Sequence, residues 1–502
     1  MLAQETALSY KRVVESLLFA TLQLKMYSIK SFRSLLTFAL FSLPVTSYAE
    51  LPELGDPTQQ EFTPYDEHLM GENFYRTIKA SVPFVRDLEV NDYITNLGQK
   101  LISHSSQPDK KARIFVIKVA NINAFAGPDA NIGFHTGLII AAKNESELAG
   151  VMAHEISHVT QRHLARAITG SGSNPVTLLA TILAGILVAS QNPQAGAAII
   201  YGGTAARLQS QINFTRANEH EADRIGISVL RKSGVNPSGM ASFFETLLQK
   251  SETNNVIAQM EYLRTHPLST TRIAEARNRI TKNDLHLPTD SLDFQFVRAR
   301  LLVSLQKPAK TLIKQLEALK KEKINILSQY TLGLAYTSNK QTDKAIAILT
   351  KLSKKHNHPW IKLALADAYT RADKPFGAKK ILENLNSLLP NYLPVSIRFA
   401  KNLVKLNKSQ QAIIVLNSQL QTKKQSVVYN ALAKAYFANG KTSSALEATS
   451  YEYELEGYIN LAIQQINNAL QQPNLKNLTI QRLESRKENL LSQISKQSRQ
   501  QH

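Results

Sequence analysis

Residues 145–160 read ESELAGVMAHEISHVT, and inside them stands His154-Glu155-Ile156-Ser157-His158. The stretch has the look of a helix, and a helix brings residues four apart onto one face. His154 and His158 therefore project together and can hold one metal ion between their imidazoles, with Glu155 beside them. A metal so held acidifies water, and Glu155 is the natural general base to take the proton. The chain contains no cysteine, so any metal it binds must be held by histidines and carboxylates.

A catalytic zinc site needs a third protein ligand and an open position. The best candidate lies about sixty residues downstream, in Asn218-Glu219-His220-Glu221-Ala222-Asp223-Arg224, an acidic segment that reads as a helix start. Glu219 and Asp223 are again four apart. Glu219 can face the ion while Asp223, one turn on, orients a ligand histidine as an acceptor for its other ring nitrogen. Glu221 points elsewhere on such a helix. His135, His163 and His220 are read as polar surface residues or as supports of the ligands.

Working outward, residues 66–104 have helical periodicity, with Val90 to Ile94 opening a helix that carries Ile94, Leu97, Leu101 and Ile102. Ile114 to Val119 reads as a strand, followed by short strands at Ala124-Phe125-Ala126 and Ile132-Gly133-Phe134 around Gly127-Pro128-Asp129. Val176 to Ala189 and Ala197 to Ile200 are strongly apolar. They fit either a buried helical hairpin or a surface that leans on a membrane or an apolar substrate, being too short to span a bilayer. The fold class expected is α+β, mainly α, for this part of the chain.

From Met26 the sequence carries Lys30 and Arg33, an apolar stretch from Leu35 to Leu43, and Ser47-Tyr48-Ala49, the layout of a secretory signal peptide cut after Ala49. Residues 1–25 precede this pattern, so Met26 is the expected start. The expected layout is a leader over 1–49, a metallopeptidase domain over 50–285 and a repeat domain over 286–502, with Pro288 interrupting the helical pattern at the boundary.

Beyond that boundary the chain repeats itself. Gly333, Tyr336 and Ala345 are matched by Ala366, Tyr369 and Ala378, by Ala400, Leu403 and Ala412, and by Ala433, Tyr436 and Ala445. Small residues at a period of 33 to 34 let the two helices of a hairpin approach, while aromatics fill the space between hairpins. That is the mark of an all-α tetratricopeptide solenoid. A weaker unit is expected around Ala299, and Ser450, Tyr453 and Ala462 continue the pattern. The tail after Gln471 reads as one long polar helix. Of the net charge of +20, nearly all falls in residues 290–502, which hold 32 Lys and Arg against 14 Asp and Glu. With no nucleic-acid motif beside it, this charge argues for acidic proteins or lipid head groups as partners, including peripheral membrane contact, and against nucleic acid.

Asn123-Ala124-Phe125-Ala126, Thr136-Gly137-Leu138, the run Glu147 to Ala153 leading into the histidine pair, and Glu219 to Asp223 together resemble the zinc peptidase family that includes HtpX and the CAAX prenyl endopeptidase. With a leader before it and repeats after it, the chain resembles the exported branch of that family from Met26 onward. The resemblance implies one Zn2+ per subunit, a periplasmic location and a role in outer-membrane protein quality control. The implied substrates are misassembled β-barrel proteins, with the repeats contacting the β-barrel assembly machinery. It also implies that Asn131, Ile132, Gly133 and Phe134 form an edge strand that pairs with extended substrate, and that the loop at Thr265-His266-Pro267 folds over the site. His266 is then a fourth ligand or an oxyanion donor; its alternative is a lone surface histidine. The reaction expected is peptide-bond hydrolysis. The rival is a chaperone or scaffold whose zinc site is mostly closed.

Overall fold

The computed structural model describes residues 62–171, 205–253, 262–306 and 309–499. The expected leader and the apolar runs at Val176 to Ala189 and Ala197 to Ile200 lie outside the described residues.

The peptidase part opens with α1 (Pro64–Ser81) and α2 (Leu88–Ile102), then β1 (Arg113–Ile117), β2 (Ala124–Gly127) and β3 (Asn131–His135). It continues through α3 (Thr136–Ala141), α4 (Glu145–Thr160), α5 (His163–Ser171), α6 (Ala205–Lys232), α7 (Ser238–Thr253), α8 (Tyr262–Thr265) and α9 (Thr270–Asn278). The periodic stretch 66–104 is thus two helices. Val82 is extended, as a residue before proline prefers, and Pro83 ends the first helix. Asp87 then caps the second by accepting from the Val90 backbone N–H.

The order of the three-stranded sheet is β1-β3-β2, with β3 parallel to β1 and antiparallel to β2. This corrects the edge-strand expectation for Asn131 to Phe134: β3 is the middle strand, and its backbone is paired on both sides. The outer side of β1 is partly covered by residues 83–85, through Val85 N–H to Val116 O and Lys118 N–H to Pro83 O. Among the described residues the uncovered edge belongs to β2. Asn131 has a structural part, its amide donating to Gly71 O and Pro128 O and its carbonyl accepting from Arg113.

Helix α4 runs through the middle of this part, packed by α2, α6, α7 and β2 and buried almost all round, so that its polar residues Glu147, His154 and Glu155 are buried with its apolar ones. Asn144 caps its start by accepting from Glu147 N–H, and the Glu147 carboxylate reaches back to Lys143 N–H.

Among the described residues the repeats form six hairpins. They are α10 (Leu292–Leu305) with α11 (Lys310–Glu317), α12 (Ile326–Ser338) with α13 (Thr342–Lys355), and α14 (Pro359–Arg371) with α15 (Pro375–Leu388). Then come α16 (Leu393–Lys405) with α17 (Ser409–Thr422), α18 (Ser426–Ala438) with α19 (Thr442–Leu455), and α20 (Ile459–Leu470) with α21 (Asn477–Arg499). Ala345, Ala378, Ala412 and Ala445 are all fully buried, as the small-residue period requires. The array is a helical solenoid. Its polar final helix is held by Leu483 and Leu490, which close the apolar end of α20.

One hydrophobic core runs without interruption from Val85 through α4 and α7 into α10, α12 and α14 as far as Ala368. A buried ion network stitches the same junction. Arg300 on α10 donates to both oxygens of Asp87 at 2.8–2.9 Å and to the Tyr330 hydroxyl at 2.9 Å, and Arg398 on α16 binds Glu89 at 3.0 Å and Asp367 at 2.8 Å. Farther along the array, Glu456 pairs with Lys79 of α1, and Gly457 packs on Arg76.

Candidate metal centre

Helix α4 and helix α6 bring His154, His158 and Glu219 together, and the turn after α8 adds His266. The segment Glu219 to Asp223 sits in the interior of α6 and not at a helix start, because the helical pattern already runs from Ala205. His154 Nε2 lies 3.0 Å from His158 Nε2, 3.3 Å from His266 Nδ1 and 3.4 Å from Glu219 Oε2. Glu219 Oε1 lies 3.0 Å from His266 Nδ1 and 3.3 Å from His158 Nε2.

Four ligand atoms held tetrahedrally at about 2.0–2.1 Å from one ion stand about 3.3 Å from each other. The separations of 3.0–3.4 Å from His154 and from the two Glu219 oxygens to their neighbours are of that size. Charge agrees. Glu155, Glu219 and Asp223 against Arg272 leave two negative charges in a buried place, which a divalent cation neutralises. His266 is therefore no surface histidine: it is 8% exposed, with the Tyr262 ring 4.7 Å away.

Each α4 histidine is fixed from behind. Asp223 Oδ1 accepts from His154 Nδ1–H at 2.9 Å, which turns the lone pair of Nε2 toward the cluster. Arg272 holds Asp223 through Nε and Nη2 at 2.7 and 2.9 Å, reaches Glu219 at 2.8 Å and donates to Pro267 O at 2.8 Å. One guanidinium thus ties two carboxylates to the loop that carries His266. Burial opposes charge on His154, but without an ion the Glu219 carboxylate and the Asp223 hydrogen bond outweigh it and hold its pKa up to about 10, so the metal that frees the Nε2 lone pair takes the place of a proton there.

Behind His158 stands His163, Nδ1 to Nδ1 at 2.7 Å, and His163 Nε2 donates to Glu221 at 3.1 Å, which Arg166 also binds at 2.7 Å. Glu221, read from the sequence as pointing elsewhere, is therefore joined to the cluster through one intervening histidine. Of the other two histidines, His220 pairs with Glu275 at 2.9 Å, away from the cluster. His135 is neither on the surface nor a support. It is fully buried at the end of β3, edge-on to Phe125, and burial pushes its pKa down to about 4.

Glu155 is fully buried, neither of its oxygens has a hydrogen-bond partner among the described residues, and Oε1 lies 3.4 Å from His266 Nε2. Burial raises its pKa above the ordinary glutamate value. A desolvated carboxylate with free lone pairs beside a cation site is equipped to accept a proton. Of the two readings offered for His163, the supporting one holds, while the parts of Arg272 and Glu221 are not in the sequence reading. Only their spacing from His266 and His158 signalled them, and spacing across loops does not fix direction.

This arrangement of helix, carboxylate and closing histidine defines a metallopeptidase. The model of peptidase family M48 matches residues 89–280. Over 451 residues the chain is 33% identical to the Beta-barrel assembly-enhancing protease of Escherichia coli (strain K12), spanning 87% of this chain and 90% of that one. The Beta-barrel assembly-enhancing protease of Yersinia pestis is 32% identical over 406 residues, 71% of this chain and 83% of its own. The chain belongs to peptidase family M48. It is a metalloprotease whose His154, His158, Glu219 and His266 cluster suits a divalent metal.

Proposed function

We propose that this chain is an exported, zinc-dependent endopeptidase of outer-membrane protein quality control in the periplasm, cutting misassembled β-barrel proteins and assisting their assembly. The observation that carries the reading is the buried four-donor cluster with Glu155 against it, in a chain whose relatives are named as β-barrel assembly-enhancing proteases. The domain layout that goes with it is a leader cut after Ala49, a peptidase domain over 50–285 and a repeat domain over 286–502 that docks on the assembly machinery.

His154, His158 and Glu219 are the residues that would hold the zinc. A zinc ion bound there would supply Lewis-acid polarisation of the scissile carbonyl and acidify water. Asp223 keeps His154 in the tautomer that faces the ion, and His163 does the same for His158. Glu155 takes the proton from the attacking water and passes it to the leaving amine; its desolvation raises its basicity toward that task. Peptide substrate in extended form adds to the open edge of β2, Ala124 to Gly127, which is paired only with β3 among the described residues. Tyr262 N–H, bonded to Ile122 O at 3.1 Å, ties that edge to the His266 turn.

His266 as a fourth donor closes the site at rest, so cleavage requires the turn to swing away. That closure also favours the second reading, a chaperone whose repeats bind partners while the zinc stays shut. Both are tested by zinc content and cleavage of an unfolded outer-membrane β-barrel protein. Glu155→Gln should keep the metal and lose cleavage by at least a hundredfold, and His266→Ala should raise basal cleavage. Metal without cleavage, even in His266→Ala, would leave the binding role.

A further inference from the structure

On the side of α6 away from the cluster lies a surface cavity of about 510 Å3 between the end of α2, the end of α4 and the residues after α9. Its cationic lining is Arg224, Lys232 and Arg279, all exposed, together with Arg231, and the exposed His104 stands beside them; its lining contains no aspartate or glutamate. Gln161 and Thr281 add neutral polar groups to the wall.

The nearest acid cannot answer this charge. Asp284 is 1% exposed and spends its carboxylate on Arg231 Nε and Nη2, each at 2.8 Å, and on Thr281 N–H and hydroxyl at 2.8 and 2.9 Å. Arg231 holds the carboxyl down to about 2, so that one pair is closed on itself. Arg231 Nη2 also donates to Arg279 O at 2.8 Å, which sets the rim where the Arg279 side chain departs. Among the described residues Arg224, Lys232 and Arg279 form no ion pair. Three uncompensated cations thus converge on one concave wall.

We propose that this cavity is a binding site for a phosphate monoester or diester, either a small phosphorylated solute or a phospholipid head group. A carboxylate offers its two oxygens in one plane, whereas a phosphate ester spreads its acceptor oxygens tetrahedrally, with one charge in a diester and about two in a monoester, which suits two guanidinium forks and an ammonium that approach from different sides. The volume exceeds a bare phosphate and falls within the ordinary range of small-ligand sites, roughly 300–1,000 Å3. It leaves room for the glycerol or sugar that carries the ester. Arg224 stands next to Asp223, and Glu219 lies on the same helix, so a ligand here grips the back of the helix whose front faces the metal.

The test titrates glycerol 3-phosphate into the intact, zinc-loaded chain by calorimetry, then sediments the chain with phosphatidylcholine vesicles lacking or containing phosphatidylglycerol. Arg224→Gln/Lys232→Gln is compared with Lys351→Gln/Lys354→Gln, which removes the same charge from an exposed face of α13. Arg279→Gln is the second cavity variant should the first unfold. Saturable binding of glycerol 3-phosphate that weakens at least tenfold in the cavity variants, and not in the α13 variant, is the expected result. Cavity-dependent sedimentation with phosphatidylglycerol would identify a head group, and its absence a soluble phosphate. No binding, an equal loss in both classes of variant, or cavity-dependent binding of a glutamate oligomer in preference to the phosphate would overturn the proposal.

Discussion

His163 Nδ1 lies 2.7 Å from His158 Nδ1, and the direction of that hydrogen bond follows from what stands behind it. Glu221 can only accept, so His163 carries its proton on Nε2 and offers a bare Nδ1 to the N–H of His158. Burial helps by pushing the His163 pKa down to about 4, which keeps the ring neutral. His154 is backed by a carboxylate and His158 by a neutral imidazole, so the two donors on one helix differ in strength.

The outer ring therefore has a measurable share in metal retention. His163→Ala should weaken zinc binding about 10- to 100-fold, the usual effect of losing a group that orients a ligand. Glu221→Gln should give a smaller loss, since an amide still accepts from His163. Competition against a chromogenic chelator reads both, independent of any cleavage assay. Affinity unchanged in His163→Ala would show that His158 needs no support.

Fully buried His135 makes the fold acid-sensitive. Its folded pKa, about 4, lies below the ordinary histidine value of 6.5, so the unfolded chain binds the proton more readily. Stability is fully present above pH 6.5 and declines as pH falls toward 4, by about 3 kcal/mol at most. His135→Phe keeps an aromatic edge on Phe125 and should flatten that part of the profile. Urea unfolding at pH 7.5 and pH 4.5 checks it: the same stability difference between variant and parent at both pH values would sink the assignment.

Removing Arg300 strands Asp87 in a low-dielectric junction. Arg300→Met should cost about 3–5 kcal/mol, the typical penalty for breaking a buried pair from one side. Because the residue belongs to the repeats and its carboxylate partners to the peptidase, the same variant should melt both parts together in calorimetry. A lower-temperature transition confined to one part would argue against the shared core.

Gly137 has no room for a side chain. A methyl group there would fall on the carbonyl oxygen of Ala120, and backbone cannot move aside as a side-chain tip can. Gly137→Ala should destabilise the chain by roughly 1–3 kcal/mol or more, read as a lower denaturant midpoint with unchanged slope.

What was legible in the sequence was what a single helix encodes. His154, Glu155 and His158 share one turn, Glu219 and Asp223 another, and four-residue spacing fixes their directions without knowledge of the fold. The repeats were legible because a period recurs. Strand order was not: the edge position expected of Asn131 to Phe134 came from the family resemblance, and a five-residue strand buried on every residue carries nothing in its own sequence that says which strands flank it. Pro83 did carry the signal for the break between α1 and α2, and the helix read as opening at Val90 begins two residues earlier, at Leu88. Arg272 acts across three separate segments, and nothing local distinguishes it from any other arginine in a helix.

The attachments of the array to the peptidase through Arg300 on α10, Arg398 on α16 and Glu456 after α19, which meet Asp87, Glu89 and Lys79, have a bearing on how the chain can change in descent. Solenoids ordinarily gain and lose whole units with ease, because each unit touches only its neighbours. Here the span between two fixed points on α1 and α2 acts as a gauge for the number of hairpins between them. A duplicated unit would carry Glu456 and Gly457 past Lys79 and Arg76. Growth is therefore free only beyond α19, where the array has already left its anchor.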